Sequence, residues 1–383
     1  MKTSTQCVHS GSYFEPTTGG INTPIFTSSA YDYLDREKTS YPRYFNTVNQ
    51  EVVVEKICAL EKAEDGLLFS SGMAAMSTAI LSHAGAGDHV VLMDELYGGT
   101  HAFVTEAFAR LGIGHTFAET GVDTIAAAVT ERTKVIVIES PTNPLLTVVD
   151  IAGVAAMARA RGITTIIDNT FASPINQKPL TRGIDIVVHS GTKYLGGHSD
   201  LCCGVALTTK AKTETIRHMA RHLGGSLNAT SCYLLERSLK TLALRVRQQT
   251  ANAGRLADFL AAHPMVRKVF YPGLKDAPGH AVARAQMTGF GAMLSFELDT
   301  ARVDTQVFLK NLSLVRPAVS LGGVETTICA PAQTSHAKMA AVERRRIGVT
   351  DALLRLSVGI EDSDDLRGDF EQALQQAATG HPG

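Results

Sequence analysis

The sequence predicts an α/β protein: a large domain on a mostly parallel sheet with helices on both faces, then a smaller α+β domain. Two observations carry this expectation. Between about 47 and 244, short apolar runs at 89–93, 135–138, 164–167 and 186–188 alternate with helical segments. These runs are apolar throughout, as strands buried on both faces are, instead of alternating with polar residues. Beyond 244 the texture changes, and a strand-like run at 291–296 is mixed with helices. A chain of 383 residues also exceeds one ordinary core and calls for two or three packed parts.

In chain order, residues 1–46 are rich in Thr, Ser, Gly, Pro and aromatics and have little periodicity. Ile25, Phe26, Tyr31, Tyr33, Tyr41, Tyr44 and Phe45 nevertheless need a surface to lie on, such as another subunit. Residues 47–244 form the large domain. It opens with a helix over 51–64 that carries Val53, Ile57 and Leu60 on one face, and a further helical run covers 74–83. Leu235, Leu239, Leu242 and Val246 make a stripe on one long helix over 232–262, which leads into the small domain, 245–383. A helix over 363–377 closes the chain, with Ser363 as its cap and Asp364 and Asp365 suiting its dipole.

The apolar and charged fractions, 44% and 19%, are those of a soluble globular protein. A formal charge of −1 gives no pull toward nucleic acid or an anionic membrane, and Arg344-Arg345-Arg346 reads as a solvated helix face. No apolar stretch is long enough to span a bilayer, and the N-terminus lacks the apolar core of a secretion signal. The six cysteines have no CxxC spacing, and adjacent Cys202 and Cys203 suit neither a metal site nor a bridge. We therefore expect no metal, and buried free thiols in a reducing cytoplasm.

The informative residues follow the apolar runs. In open α/β sheets ligands bind beyond the carboxyl ends of the strands. Here those ends read Ser70-Ser71-Gly72-Met73, Asp94-Glu95-Leu96-Tyr97-Gly98-Gly99-Thr100, Glu139-Ser140-Pro141-Thr142-Asn143-Pro144, Asp168-Asn169-Thr170 and His189-Ser190-Gly191-Thr192-Lys193. Ser71-Gly72-Met73 opens a helix, whose N-terminal N–H groups suit a phosphate, although an ordinary strand–helix turn reads the same way. Ser190 and Thr192 would add hydroxyls to that phosphate. Asp168 ends an apolar run, where a carboxylate either caps a turn or meets a cation. The protonated ring nitrogen of pyridoxal phosphate is such a cation. Lys193 is either a snorkelling lysine or an amine whose basicity burial lowers for Schiff-base chemistry. Tyr97 offers a ring to stack and a phenol for proton transfer. Neither a Walker A spacing nor a strand-borne Gly-x-Gly-x-x-Gly is present, which argues against a nucleotide or nicotinamide enzyme.

On these residues the chain resembles, nearly end to end, the pyridoxal-phosphate enzymes of cysteine and methionine metabolism. That family includes cystathionine γ-synthase, γ-lyase and β-lyase, methionine γ-lyase and O-acylhomoserine sulfhydrylase. The similarity also covers His9-Ser10-Gly11, Tyr41-Pro42-Arg43, Ser190-Gly191-Thr192-Lys193-Tyr194, Ser320-Leu321-Gly322-Gly323 and Leu354-Arg355-Leu356-Ser357-Val358-Gly359. The resemblance implies the fold-type I architecture with a seven-stranded sheet, and a homotetramer of two catalytic dimers. It implies Lys193 as the Schiff-base lysine, Asp168 at the pyridine nitrogen and Tyr97 as the stacked ring. Ser71, Gly72, Met73, Ser190 and Thr192 would surround the phosphate, with Thr170 a further cofactor contact. Tyr41 and Arg43 would reach the neighbouring subunit's phosphate. Asn143, Ser320 and Arg355 would hold the α-carboxylate of a small amino-acid substrate.

The sequence departs from the family pattern at three places. Asn46-Thr47-Val48 stands for the usual Asn-Pro-Thr. Gly99 occupies a substrate-facing position where methionine γ-lyases carry Cys. Val319 stands where cystathionine γ-synthases and γ-lyases often have Glu. The implied activity is γ-elimination or γ-replacement of cystathionine type, with methionine γ-lyase or O-acylhomoserine sulfhydrylase as alternatives.

Overall fold

The computed structural model describes residues 1–334, 337 and 341–379, without the side chains of 341 and 343. The last four residues of the expected small domain lie outside the described ones. The larger sheet contains β1 (Asp65–Phe69), β2 (His89–Met93), β3 (Gly114–Ala118), β4 (Thr133–Glu139), β5 (Thr164–Asp168), β6 (Ile186–Ser190) and β7 (Gly204–Thr208). Their order is β1-β7-β6-β5-β4-β2-β3, parallel except for β7, which runs antiparallel to both neighbours. The smaller sheet contains β8 (Val266–Phe270), β9 (Met293–Leu298), β10 (Arg316–Pro317), β11 (Thr327–Cys329) and β12 (Leu353–Ser357), ordered β10-β11-β12-β9-β8.

The helices, in chain order, begin with α1 (Thr3–His9), α2 (Val48–Glu61), α3 (Gly72–Leu81), α4 (Gly98–Leu111), α5 (Val122–Ala127), α6 (Ile151–Ala160) and α7 (Ser173–Asn176). Then come α8 (Lys210–Leu223), α9 (Ala229–Leu239), α10 (Leu242–Ala262), α11 (His280–Gln286), α12 (Thr305–Asn311), α13 (Ala341–Arg346) and α14 (Ser363–Gln376). Among the described residues no helix is long and apolar enough to cross a membrane.

The continuous apolar runs have the expected cause. Alternate residues point to opposite sheet faces. Val90, Leu92, Val135 and Val137 pack under α3, α4 and α8, while Val91, Met93, Ile136 and Ile138 join the core that holds α2, α6, α9 and α10. That second core continues into the smaller sheet through Leu294, Phe296, Leu354 and Leu356, where Phe296, Phe308 and Phe370 meet edge-on or tilted.

Several expected boundaries move. The single helix over 232–262 is two, α9 and α10, although the stripe stays buried across the break. The break frees the Ser238 carbonyl, which accepts from Thr241 N–H and Oγ1–H (3.2 Å each) and from the buried Arg245 Nη2 (2.9 Å), so these polar contacts replace helical continuity. The helix expected over 51–64 starts earlier, at Val48, because Thr47 and Gln50 form a capping box. The run expected over 74–83 is α3, which starts at Gly72. The closing helix is capped by Asp362, not Ser363: Asp362 Oδ1 accepts from Asp364 N–H at 2.8 Å. In the larger sheet two strands had not been located: β3 is a half-exposed edge without an apolar run, and β7 follows the Cys pair. β1 is the strand whose carboxyl end was expected at Ser70.

Candidate active site

The carboxyl ends of β1, β4, β5 and β6 and the loop after β2 open into one cavity of about 480 Å³, closed from the other side by β12 and the segment 319–321. Ser71, Gly72, Met73, Tyr97, Asn143, Asp168, Thr170, Ser190, Thr192, Lys193, Val319, Ser320 and Arg355 all line it.

One wall is the start of α3. Ser71 caps the helix, its Oγ accepting from Ala74 N–H at 3.1 Å, while Ala75 N–H goes to Ser71 O. The Gly72 and Met73 N–H groups have no acceptor among the described residues, as first-turn donors must unless a ligand meets them. A Cβ at Gly72 would lie 2.8 Å from Ser190 Cβ, so only glycine lets this helix end approach β6. Thr170 ties the neighbouring strand ends together: its N–H donates to Asp168 Oδ1 (3.0 Å) and its Oγ1 accepts from Ser190 N–H (2.8 Å). The Thr192 hydroxyl is engaged locally, within 3.2 Å of Cys203 O, and it accepts from Cys203 N–H at 3.0 Å.

The opposite wall comes from the smaller sheet. Arg355 sits in mid-β12 yet is only 6% exposed, because the large domain's 140–147 loop covers that face. Ser295, its partner on β9, donates to Pro144 O at 2.6 Å in the same contact. Arg355 Nη1 donates to Asn143 Oδ1 (2.8 Å) and Nη2 to Ser320 O (3.4 Å), while its Nε–H is buried without an acceptor among the described residues. A buried guanidinium with a spare donor is suited to a carboxylate. Ser320 is held at φ 76°, a left-handed conformation that is sparsely populated for a non-glycine residue. Its Oγ accepts from Lys193 Nζ at 2.7 Å.

Electrostatics separate the ionisable groups. Burial, and then the Arg355 cation, hold Lys193 below the ordinary lysine value, which favours a free amine. Burial raises Asp168, opposed by its Thr170 hydrogen bonds. This carboxyl is open to the cavity but shielded from bulk water.

These residues fit pyridoxal phosphate. The α3 terminus offers uncommitted N–H groups for an anion, Asp168 a carboxyl for a ring nitrogen, and Lys193 an amine for a carbonyl. Tyr97, 45% exposed, lies along the same wall.

Three expected site residues stand apart from the cavity. Arg43 Nη1 donates to Arg221 O on α8 (2.6 Å), and its guanidinium lies 5.6 Å from the Tyr41 ring and 5.5 Å from Tyr44, so in the single chain Tyr41 and Arg43 do not line the cavity. Gly99 does not line it either. It lies beneath Tyr97, where a Cβ would come 2.4 Å from Tyr97 Cε1. The sequence reading also missed Glu139, Cys202 and Cys329, which do line the cavity. Glu139 shares the signal that singled out Asp168, a carboxylate ending an apolar strand. Cys202 overturns the expectation of buried thiols: it is exposed, whereas the other five free cysteines are buried. Its place in a loop at the sheet edge, not its residue type, decides this.

A family model described as Cys/Met metabolism PLP-dependent enzyme matches residues 4–375. Cystathionine gamma-lyase of Bacillus subtilis (strain 168) is 42% identical over 380 residues, covering 98% of this chain and 100% of that protein. Cystathionine beta-lyase MetC of the same organism is 43% identical over 378 residues, covering 98% and 96%. Among solved structures, cystathionine gamma-lyase from Lactobacillus plantarum complexed with L-serine matches with a TM-score of 0.95 at 39% identity, covering 99% of this chain and 100% of that one.

Proposed function

Because the chain belongs to the Cys/Met metabolism PLP-dependent enzymes, we propose that it catalyses trans-sulfuration by γ-elimination or γ-replacement. The substrate is a sulfur amino acid or an O-acylhomoserine, and the activity is of the cystathionine gamma-lyase or gamma-synthase kind. The carrying observation is the convergence of the Lys193 amine, the Asp168 carboxyl and the Arg355 guanidinium on one cavity. The names of the relatives favour cystathionine chemistry over methionine γ-lyase or O-acylhomoserine sulfhydrylase.

When bound, pyridoxal phosphate supplies an electron-withdrawing ring that takes up charge left at the substrate's Cα. Gly72, Met73, Ser190 and Thr192 would hold its phosphate, Asp168 its ring nitrogen, and Lys193 its carbonyl carbon. Arg355 and Asn143 hold the substrate carboxylate, which fixes the Cα–H bond relative to Lys193. Lys193, with lowered basicity, takes that proton as a general base, and its hydrogen bond to Ser320 directs the amine. The Tyr97 phenol is a second group for moving protons at the half-open side. Val319, 71% exposed at the cavity edge, offers no charge to the distal part of the substrate and admits a less polar γ-substituent.

The proposal extends to assembly as a homotetramer of two catalytic dimers in the cytoplasm, with 1–46 as an arm on the neighbouring subunit, 47–244 as the cofactor domain and 245–383 as the small domain. Phe14, Ile21, Tyr33 and Leu34 are between 63% and 86% exposed on that arm, apolar surface that a second subunit would cover. The test is a product assay on the cofactor-loaded enzyme with cystathionine, methionine, cysteine and O-acylhomoserines, with and without thiol. Release of 2-oxobutanoate or a thioether product is expected; no turnover of any of these would sink the proposal.

A further inference from the structure

Glu139 is the last residue of β4, and its partner in the parallel register is Asp168, the last residue of β5. Both line the cavity, and Glu139 is 5% exposed. Two carboxyl groups on adjacent strand ends, away from bulk water, cannot both carry charge without strong repulsion. The charged groups facing Glu139 are Asp168 on β5 and Arg355 on β12. Glu95, on the loop after β2, is turned elsewhere: its Oε2 accepts from Thr142 (2.9 Å) and Thr147 (2.7 Å). Arg355 Nη1 and Nη2 are engaged with Asn143 and Ser320, and among the described residues its Nε–H has no acceptor, so no hydrogen bond joins it to Glu139. Burial, and then Asp168, push Glu139 well above the usual carboxylate range.

The Glu139 carboxyl meets the backbone N–H groups of Tyr97 and Asn143, Tyr97 being the stronger contact. Glu139 Oε2 accepts the Tyr97 backbone N–H at 2.8 Å, at the start of α4. The Tyr97 ring in turn lies over Gly99. Tyr97 is therefore held at two points, its backbone by a carboxyl from the sheet and its ring by the missing side chain at 99.

We propose that Glu139 is a positioning residue for the reaction, a neutral carboxyl that anchors the Tyr97 loop to the sheet and leaves Asp168 the only negative group facing the cofactor ring. The inference rests on the reading that Tyr97 and Asp168 face pyridoxal phosphate. A carboxylic acid and a carboxamide both present the acceptor that Tyr97 N–H needs, whereas alanine leaves that donor buried and unmet.

The experiment uses the cofactor-loaded enzyme and its Glu139→Ala and Glu139→Gln variants. The readouts are the cofactor dissociation constant by equilibrium dialysis, the pH midpoint of the cofactor's visible band, and kcat against KM. Glu139→Ala is expected to weaken cofactor binding and lower kcat by about tenfold or more, the effect of one unmet buried donor. Glu139→Gln is expected to recover most of that loss with the band's pH midpoint unmoved. The proposal is overturned if Gln is as damaging as Ala, if Ala changes nothing, or if the Gln midpoint moves down by about one unit, as removal of a real negative charge would require. Should Glu139→Ala fail to fold, the Gln midpoint decides by the same criterion. Failure of the underlying reading would look different, since Asp168→Asn would then leave the cofactor's dissociation constant and the band's pH midpoint unchanged.

Discussion

Lys193 Nζ donates to Ser320 Oγ at 2.7 Å, joining the segment after β6 to the segment between β10 and β11. The amine comes from the large domain and its acceptor from the small one. The same serine's carbonyl accepts from Arg355, so the groups assigned to the cofactor and to the carboxylate share one residue.

The charge coupling between Lys193 and Arg355 has a direction. Burial and the Arg355 cation both lower the lysine, so its neutral form is present at a lower pH than for a free lysine. In the cofactor-free protein, acylation of Lys193 by a small reagent should rise with pH at a lowered midpoint. Arg355→Gln should move that midpoint up. An unmoved midpoint would show that the coupling is absent.

Arg355→Lys keeps the charge but loses the planar fork between Asn143 and Ser320. KM for the amino-acid substrate should rise on the order of 100-fold, the effect of breaking a buried charged contact. Cofactor absorbance should stay close to wild type. A KM within about twofold of wild type would remove Arg355 from carboxylate binding.

Gly99→Ala places a methyl group against the Tyr97 ring, so the ring must swing away. Such overpacking costs about 1–3 kcal/mol, and cofactor affinity should fall by roughly tenfold. The visible circular dichroism of the bound cofactor should change as well. Unaltered affinity and dichroism would mean that ring placement over Gly99 does not matter.

Glu139 and Asp168 have raised values in the folded protein, so the native state binds more protons than the unfolded chain. Their contribution to stability is then fully present below the ordinary carboxylate range and is lost as pH rises through the folded values. The Tm of the cofactor-free protein should fall as pH rises through that window. Glu139→Gln should flatten the fall, because the amide cannot ionise. A Tm profile identical to wild type would place the raised value elsewhere.

Arg43 donates to Arg221 O of α8 in its own chain, away from the cavity. If it serves the neighbouring subunit's phosphate, mixing inactive Arg43→Ala and Lys193→Ala subunits should regenerate one intact site per mixed dimer. Activity should return toward a quarter of wild type at equal mixing, by the statistics of random pairing of two chains. Verified mixed dimers without activity would rule out a shared site.

The sequence by itself determined the sheet class and the chemistry at its edge. Strands buried on both faces must be apolar throughout, so β2, β4, β5 and β6 stood out, and polar residues such as Asp168 and Lys193 were conspicuous at their ends. β3 did not stand out, since a half-exposed edge strand lacks that signal, and β7, although buried throughout, has only Val205-Ala206-Leu207 as its apolar run. The long stripe across α9 and α10 was visible, but the break at Lys240-Thr241 was not, because it is set by carbonyls that only the folded Arg245 reaches. Only the tertiary structure decided which carboxylates share the cavity, that Gly99 serves Tyr97 and not the cavity wall, and that Cys202 is the exposed thiol. Glu139 and Asp168 are 29 positions apart in the chain and adjacent in register. Local sequence pattern reports burial and periodicity, whereas adjacency across strands depends on topology.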